Sequence, residues 1–351
     1  MKAERLPEKT LSEQYSEHRR SHMRLALVLG VVILILIAFS SLMGSANITL
    51  PRLLCTLFPG VFSGEPLSKL EYSVFINIRL CRVVMALIVG AGLACCGVVM
   101  QAITGNAMAS PFTTGISSAA GFGAALGIVF FQNRPACTIL FAFILAILCT
   151  AIVYGISAKK NFTAQALVLL GIAVNYLFSA MNSCLQYFVT KEQLASIVYW
   201  TFGSLANAVW YQVFVCAGVF FLAYLYFAAH AKEYNILCST GDDSAAALGI
   251  NVVRLRTVSG IVVALLAATL ISFTGVIGFV GLVAPHISRY ITGSEHNYLI
   301  PVSALTGAGL ILIADTIGRT ILSPITIPVG VVVSLIGVPV FISLILTKQE
   351  A

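Results

Sequence analysis

Charge is what this 351-residue chain has least of. Only 9% of its residues are Asp, Glu, Lys or Arg, where a soluble globular domain carries roughly 25%. So little polar surface cannot enclose a chain that is 59% hydrophobic, but a bilayer can hold it. Apolar runs of about 20 residues recur along the whole length, each able to cross a ~30 Å hydrocarbon layer. The short alternating segments of a β-barrel are missing, so the fold class is all-α, a polytopic membrane protein. No GxxxxGK(S/T) phosphate loop occurs, which excludes P-loop ATP hydrolysis by this chain. HExxH and GxSxG are missing as well, and with them the zinc-protease and serine-hydrolase sets. The nine cysteines include no CxxC and no Cys/His metal spacing. Cys95, Cys96, Cys149, Cys184 and Cys216 lie inside apolar runs and read as small apolar filler, so no metal site is expected. Asp315 is the single carboxylate inside an apolar run, whereas an ion-coupled carrier commonly uses more intramembrane charge.

What is present is ten apolar segments, near 25–43, 80–103, 113–131, 138–157, 164–188, 211–230, 254–273, 275–291, 300–318 and 327–346. An even number puts both termini on one side. With the termini inside, 13 of the 20 Lys and Arg face the cytoplasm, which fits the positive-inside bias. The net charge of +7 therefore reports orientation and contact with lipid headgroups, not nucleic acid. Residues 1–24 form a polar cytoplasmic tail, and 25–351 a single transmembrane domain. The run at 25–43 exceeds the 7–15 residues of a cleaved signal and reads as an uncleaved first helix. No repeat of 20–50 residues is visible.

Two outer connections are long, 44–79 and 189–207. The second contains SIVYWTFGSLANAVW, too apolar for a plain loop, and predicts a short surface helix with Trp200 and Trp210 at headgroup level. The longest inner connection is 231–253. The eighth segment is interrupted by Gly275, Gly278 and Gly281 and then Pro285, and irregular backbone at membrane depth survives only where protein or a cavity covers it.

Several polar residues stand out against this background. Arg79 and Arg82 are three apart and share one helix face; alone, they read as arginines snorkelling to headgroups. Asp315 and Arg319 form an i,i+4 pair that lowers the cost of burying the acid. Asn175, Ser179, Asn182 and Gln186 make one polar stripe on an apolar helix, either interhelical hydrogen bonding or the wall of a path. Gly105 and Pro111 bracket GNAMASP as a turn containing Asn106 and Met108. In GDDSAAALGIN, Asp242 and Asp243 suit a helix N-terminus and Gly249 its end, while Ala245, Ala246 and Leu248 give a small apolar face suited to a partner. His286 reads as a packed residue beside Pro285, not as a ligand.

The order of blocks at the carboxy-terminal end adds a resemblance. GFVGLVAPHISR at 278–289, ADTIGR at 314–319 and the PVG…LIGVPVF run at 328–341 resemble the signature of FecCD/BtuC-type permeases, the membrane subunits of ABC importers for iron–siderophores, haem and cobalamin. The stretch at 79–127, LLGIAVNYLFSAMNS and YWTFGSLA are similar to the same family, so the likeness runs from about 79 to 347. Cys81 departs from the family's RLPR pattern, and GNAMASP from its RNPLA-type sequence.

The resemblance implies a type II importer permease in a bacterial or archaeal inner membrane, with both termini cytoplasmic. It implies a binding-protein docking role for Arg79, Arg82 and Arg319, and an ATPase-coupling role for Gly241, Asp242, Asp243, Ala245, Ala246, Leu248 and Gly249. It further implies a translocation path along Asn175, Ser179, Asn182 and Gln186, and a cytoplasmic gate at Asn106 and Met108. The implied partners are an ABC ATPase that binds ATP and Mg, a periplasmic or lipid-anchored binding protein, and a second permease copy or paralogue. The chain itself is then no enzyme and carries no cofactor. An iron(III)–siderophore-type chelate is the first expectation for cargo, with haem or cobalamin as alternatives. A stand-alone secondary transporter is the rival reading; it would carry inverted repeats, and none is visible.

Overall fold

The computed structural model describes residues 11–43, 49–57, 61–62, 65–132, 134–158 and 163–347. Among them the structure is helical throughout. The order is α1 (Leu11–Leu42), α2 (Leu50–Leu57), α3 (Lys69–Val74), a π-helical turn (Phe75–Leu80), α4 (Cys81–Thr104), α5 (Ile116–Phe130), α6 (Pro135–Ala158), α7 (Ala164–Phe188), α8 (Lys191–Thr201), α9 (Trp210–Ala229), α10 (Ala231–Ala247), α11 (Val252–Thr274), α12 (Val280–Thr292), α13 (His296–Thr320) and α14 (Val329–Thr347). Each of the ten apolar segments coincides with one of these helices. Seven are long and apolar enough to cross a membrane on their own. Helices α5 and α14 are shorter apolar helices, and α12 has only 13 residues. The missing length has local causes: residues 111–115 form a turn before α5, and residues 275–279 are non-helical before α12.

Helix starts follow their capping residues. The Thr163 hydroxyl accepts from Ala166 N–H before α7, and Asn251 Oδ1 accepts from Arg254 N–H at 2.9 Å before α11. Thr190 and Gln193 exchange both bonds of a capping box ahead of α8, and this satisfies amides that have no intrahelical partner. The Glu192 carboxyl in that first turn is held below its ordinary value, first by its own backbone N–H and then by the Thr190 hydroxyl.

Helix α4 runs through the middle, against α9, α11, α12 and α13. Most of its side chains are buried, Met85, Leu93, Cys95, Cys96 and Ile103 among them; Cys95, Cys96, Cys149 and Cys216 are core filler, as their apolar surroundings predict, whereas Cys184 is exposed on α7. A second cluster joins α5, α6 and α7 through Ala119, Cys149, Val153, Leu167 and Phe178. The periphery is apolar too: Leu27, Leu34 and Ile35 on α1 and Phe214, Phe221 and Leu222 on α9 are exposed. In water this would be a liability, but hydrocarbon is the solvent that such faces fit.

What lets α4 sit so deep is the absence of side chains at its crossings. A Cβ on Gly90 would overlap the Gly307 carbonyl of α13, and one on Gly97 would overlap the Gly281 carbonyl of α12. With no hydrophobic drive between helices in lipid, such close packing supplies the association. The irregular stretch 275–279 is covered as its depth requires. Ser204 N–H donates to Thr274 O at 2.7 Å, and Gly203 and Trp200 lie against Gly275. Trp200 and Trp210, expected at headgroup level, are half-buried and pack on the central core.

The crossing predicts a sharp contrast. Gly97→Ala should lower stability by about 1–3 kcal/mol through overpacking. Gly309→Ala on α13, with open space around it, should be neutral. The thermal midpoints of the two purified variants in detergent check this; equal midpoints would refute the close-approach argument.

Candidate functional site

Most of the functional candidates gather at two opposite ends of the bundle, and the polar stripe of α7 runs along that helix. At one end, α1 finishes beside the π-helical turn and the last turns of α13. Asp315 is fully buried and receives Arg82 of α4 through Nε at 2.8 and 3.1 Å and through Nη2 at 2.7 Å. The Nε of Arg319 lies 3.6 Å from the other carboxylate oxygen. The expected i,i+4 pair is therefore present, but it is the lesser of two; the dominant partner, Arg82, stands 233 positions away.

The three arginines expected as an outward patch do converge here, yet they point inward. Arg79 is 5% exposed and donates to the carbonyls of Ser41 and Leu42 at 3.4 and 3.0 Å. Arg319 donates to Met43 O at 2.7 Å, to Ser40 Oγ at 2.7 Å and to Ser40 O. These carbonyls belong to the last turn of α1, where acceptors lack intrahelical partners and cations meet the negative helix end. Nor does the snorkelling picture hold for Arg79, because its guanidinium serves a helix end and not a headgroup.

At the opposite end, α10 is split by Gly241, whose φ of 76° and ψ of 179° interrupt the helix. Only glycine adopts this backbone readily. Residues 231–240 and 242–247 are thus two short helices, and Asp242 opens the second, as its sequence position predicts. Gly249, with φ 90°, ends it. The face differs from expectation at one residue. Ala245 is fully buried in the chain's own core, whereas Gly241, Asp242, Asp243, Ala246, Leu248 and Gly249 are exposed, Leu248 by 65%. Asp242 is tied back by Arg256 of α11, Nη1 to Oδ2 at 2.6 Å and Nη2 to Oδ1 at 2.8 Å.

Further contacts fasten the first half of α10. Asn235 Oδ1 accepts from both the amide and Nδ1 of His296 at 2.7 Å, and the Tyr234 hydroxyl meets Ser259 Oγ at 2.8 Å. Neither contact was foreseeable from local sequence, since each joins residues 25 or more apart.

The 105–111 turn lies at the same end. Asn106 Oδ1 accepts from Met108 N–H at 2.9 Å, a local turn, and Met108 is 46% exposed. On α7 the packing face is Leu167, Gly171, Val174 and Phe178. The polar stripe runs beside it, with Asn175, Asn182 and Gln186 half-buried and Ser179 exposed. Asn182 Oδ1 is buried without a hydrogen-bond partner. His286 packs edge-on to Phe341, ring centroids 5.1 Å apart. A cavity of about 630 Å³ lies between α8, α9 and the end of α11, lined by Ser196, Tyr199, Asn207, Tyr211, Gln212 and Ser272 among others. The interleaved polar and aromatic residues of 196–212 were its only signal in the sequence.

A membrane-crossing bundle with a helix pair displayed at one end and buried charge at the other is the architecture of a transport permease. Comparison with known proteins specifies it. The FecCD transport family matches residues 32–347, and the chain belongs to that family. The hemin transport system permease of Yersinia pestis is 34% identical over 92% of this chain and 96% of its own. An iron(3+)-hydroxamate import system permease of Bacillus subtilis is 34% identical over 82% of this chain and 87% of its own. The solved structure of a metal-chelate type ABC transporter in an inward-facing conformation superposes with a TM-score of 0.83 at 31% identity, covering 92% of this chain and 99% of that one.

The buried triad predicts non-additivity. Asp315→Asn should cost about 3–5 kcal/mol, because two buried arginines lose their counter-charge. Asp315→Leu combined with Arg82→Met should cost clearly less than the sum of the two single changes. Unfolding midpoints of the four proteins test this; simple additivity would show that the pair does not interact.

Proposed function

We propose that this chain is the membrane subunit of an ABC importer that moves an iron(III)–siderophore-type chelate inward by alternating access. The observation that carries the reading is the glycine-split helix pair of α10, displayed at one end with Leu248 exposed in a family of transport permeases. The α10 end is assigned to the cytoplasm, with both termini on that side, and a separate ATPase binding ATP and Mg docks there. The arginine end then faces outward and receives a binding protein. Since Arg79, Arg82 and Arg319 are engaged inside the fold, acidic groups on that protein would have to compete with Asp315 and with the α1 carbonyls for them. A second copy or a paralogue would complete the path beside α7, and the turn holding Asn106 and Met108 would gate its inner mouth.

Haem is the second reading for cargo, favoured by the hemin permease among the relatives; cobalamin belongs to the same chemical class. Ligand-binding tests on the binding protein that accompanies the transporter distinguish these cargoes.

Two experiments address the mechanism. Leu248→Asp should leave the chain inserted but strip the ATPase from it on co-purification, because a charge enters an apolar contact without a partner. Full ATPase retention with normal uptake would overturn the coupling assignment, and uptake without any ATPase would favour a stand-alone carrier. In a cysteine-free background, Ser179→Cys should react with a charged thiol reagent to an extent that changes with nucleotide. Leu177→Cys on the far side of the helix should stay inert, since thiolate chemistry needs water. An inert Ser179→Cys in every nucleotide state would place the path elsewhere.

A further inference from the structure

We propose that Arg256 is a positioning residue that links the ATPase-facing helix to the gate end of α4, so that one guanidinium carries displacement of α10 to the 105–111 turn. This rests on the importer reading above. Arg256 sits one turn into α11 and is 5% exposed. Its Nε donates to Ile103 O at 2.7 Å, and its two terminal nitrogens grip the Asp242 carboxylate at 2.6 and 2.8 Å.

The two targets are what give the contact meaning. Ile103 is the penultimate residue of α4, so its carbonyl is one of the four left unpaired at a helix end. The chain leaves α4 directly into the turn that carries Asn106 and Met108. Asp242 is the first residue after the Gly241 kink, and its side chain is 52% exposed. The second half of α10 and the end of α4 are 138 residues apart in sequence, counting from residue 104 to 242. A planar, always-charged fork is the side chain that can hold a carboxylate with two donors while a third serves a carbonyl; an ammonium group cannot reproduce that geometry. The guanidinium is buried and the Asp242 side chain half exposed, so the bond to Ile103 is shielded from water while the ion pair keeps one open side, and a shift of residues 242–247 pulls on Ile103 through it.

A second contact runs in parallel. Arg289 at the end of α12 donates to Gln101 Oε1 at 2.9 Å, on the same last turn of α4. That contact joins α12 to α4 and does not involve α10, so it holds the end of α4 without connecting it to the ATPase side. The first half of α10 meets α4 directly, Cys238 Sγ lying 3.8 Å from Ala102 O; Arg256 is the residue whose donors reach both the half of α10 after Gly241 and the end of α4.

The test needs no cargo. In the assembled transporter, with its ATPase bound and native cysteines removed, Met108→Cys reports the gate through reaction with a membrane-impermeant maleimide. A non-hydrolysable ATP analogue should change its labelling rate by at least about five-fold with Arg256 present, the lower end of typical coupling between sites. In Arg256→Gln the rate should be the same with and without analogue, although the analogue still binds the ATPase. Arg256→Lys should give a reduced response, since it keeps the charge but not the fork. An undiminished response in Arg256→Gln overturns the proposal. So does a full response in Arg256→Lys, which would mean that charge alone suffices. Failure of both variants to insert and retain the ATPase overturns it as well, because Arg256 would then be a folding determinant. The importer reading fails separately, in the protein that keeps Arg256, if no ATPase associates or the labelling ignores nucleotide.

Discussion

The fold depends on a helix being able to approach two others to backbone contact. Glycine at 90 and 97 of α4 meets glycine at 307 and 281, and no other residue at those four places leaves room for a carbonyl. In lipid, a bulkier seam would gain nothing from excluding water, because hydrocarbon is as apolar as the side chains themselves. Close approach instead multiplies dispersion contacts along the crossing. It also draws α12 and α13 onto one helix, which brings Asp315 within reach of Arg82 and the end of α12 within reach of Gln101. The polar features at both ends are thus consequences of how closely the middle packs.

The charged cluster around Asp315 shows how such a bundle manages buried ions. Arg82 and Arg319 surround one carboxylate, and the excess positive charge is met by the carbonyl end of α1. No single pair in this set would balance its own desolvation; the network does so by using every acceptor within reach. The charge of this cluster is thus held inside the fold, while the Arg52–Glu71 pair nearby stays partly exposed.

Local periodicity and local composition made much of this readable. The ten apolar segments, the surface helix after residue 190, the break at 275–279 and the Gly241–Gly249 unit are all written within windows of 20 residues or fewer. What was not readable is long-range partner choice. Asp315 looked paired with Arg319 because four residues separate them, whereas Arg82 arrives from another helix. Ala245 looked like part of an exposed face with Ala246 and Leu248, but only the packing of α10 on its neighbours decides which of the three alanines at 245–247 turns inward. Arg256 gave no signal, being one of two ordinary arginines near a helix start. The shortness of α5 and α12 escaped hydropathy for a related reason: apolar residues in covered turns count the same as those in helices.

The attachment of α1 has a consequence for how the protein is made. This helix is synthesised well before α13, and it is little buried along its apolar length. Of the two arginines that hold its end, Arg79 follows Leu42 by 37 positions and Arg319 follows Met43 by 276. At ~5–20 residues per second, roughly 14–55 s of translation separate Met43 from Arg319. Through that interval the end of α1 has Arg79 as its cationic partner, on the carbonyls of Ser41 and Leu42, while the acceptors of Ser40 and Met43 wait for Arg319. The second half of its seat forms only when α13 enters, so a helix made long before α13 is fully locked only after it.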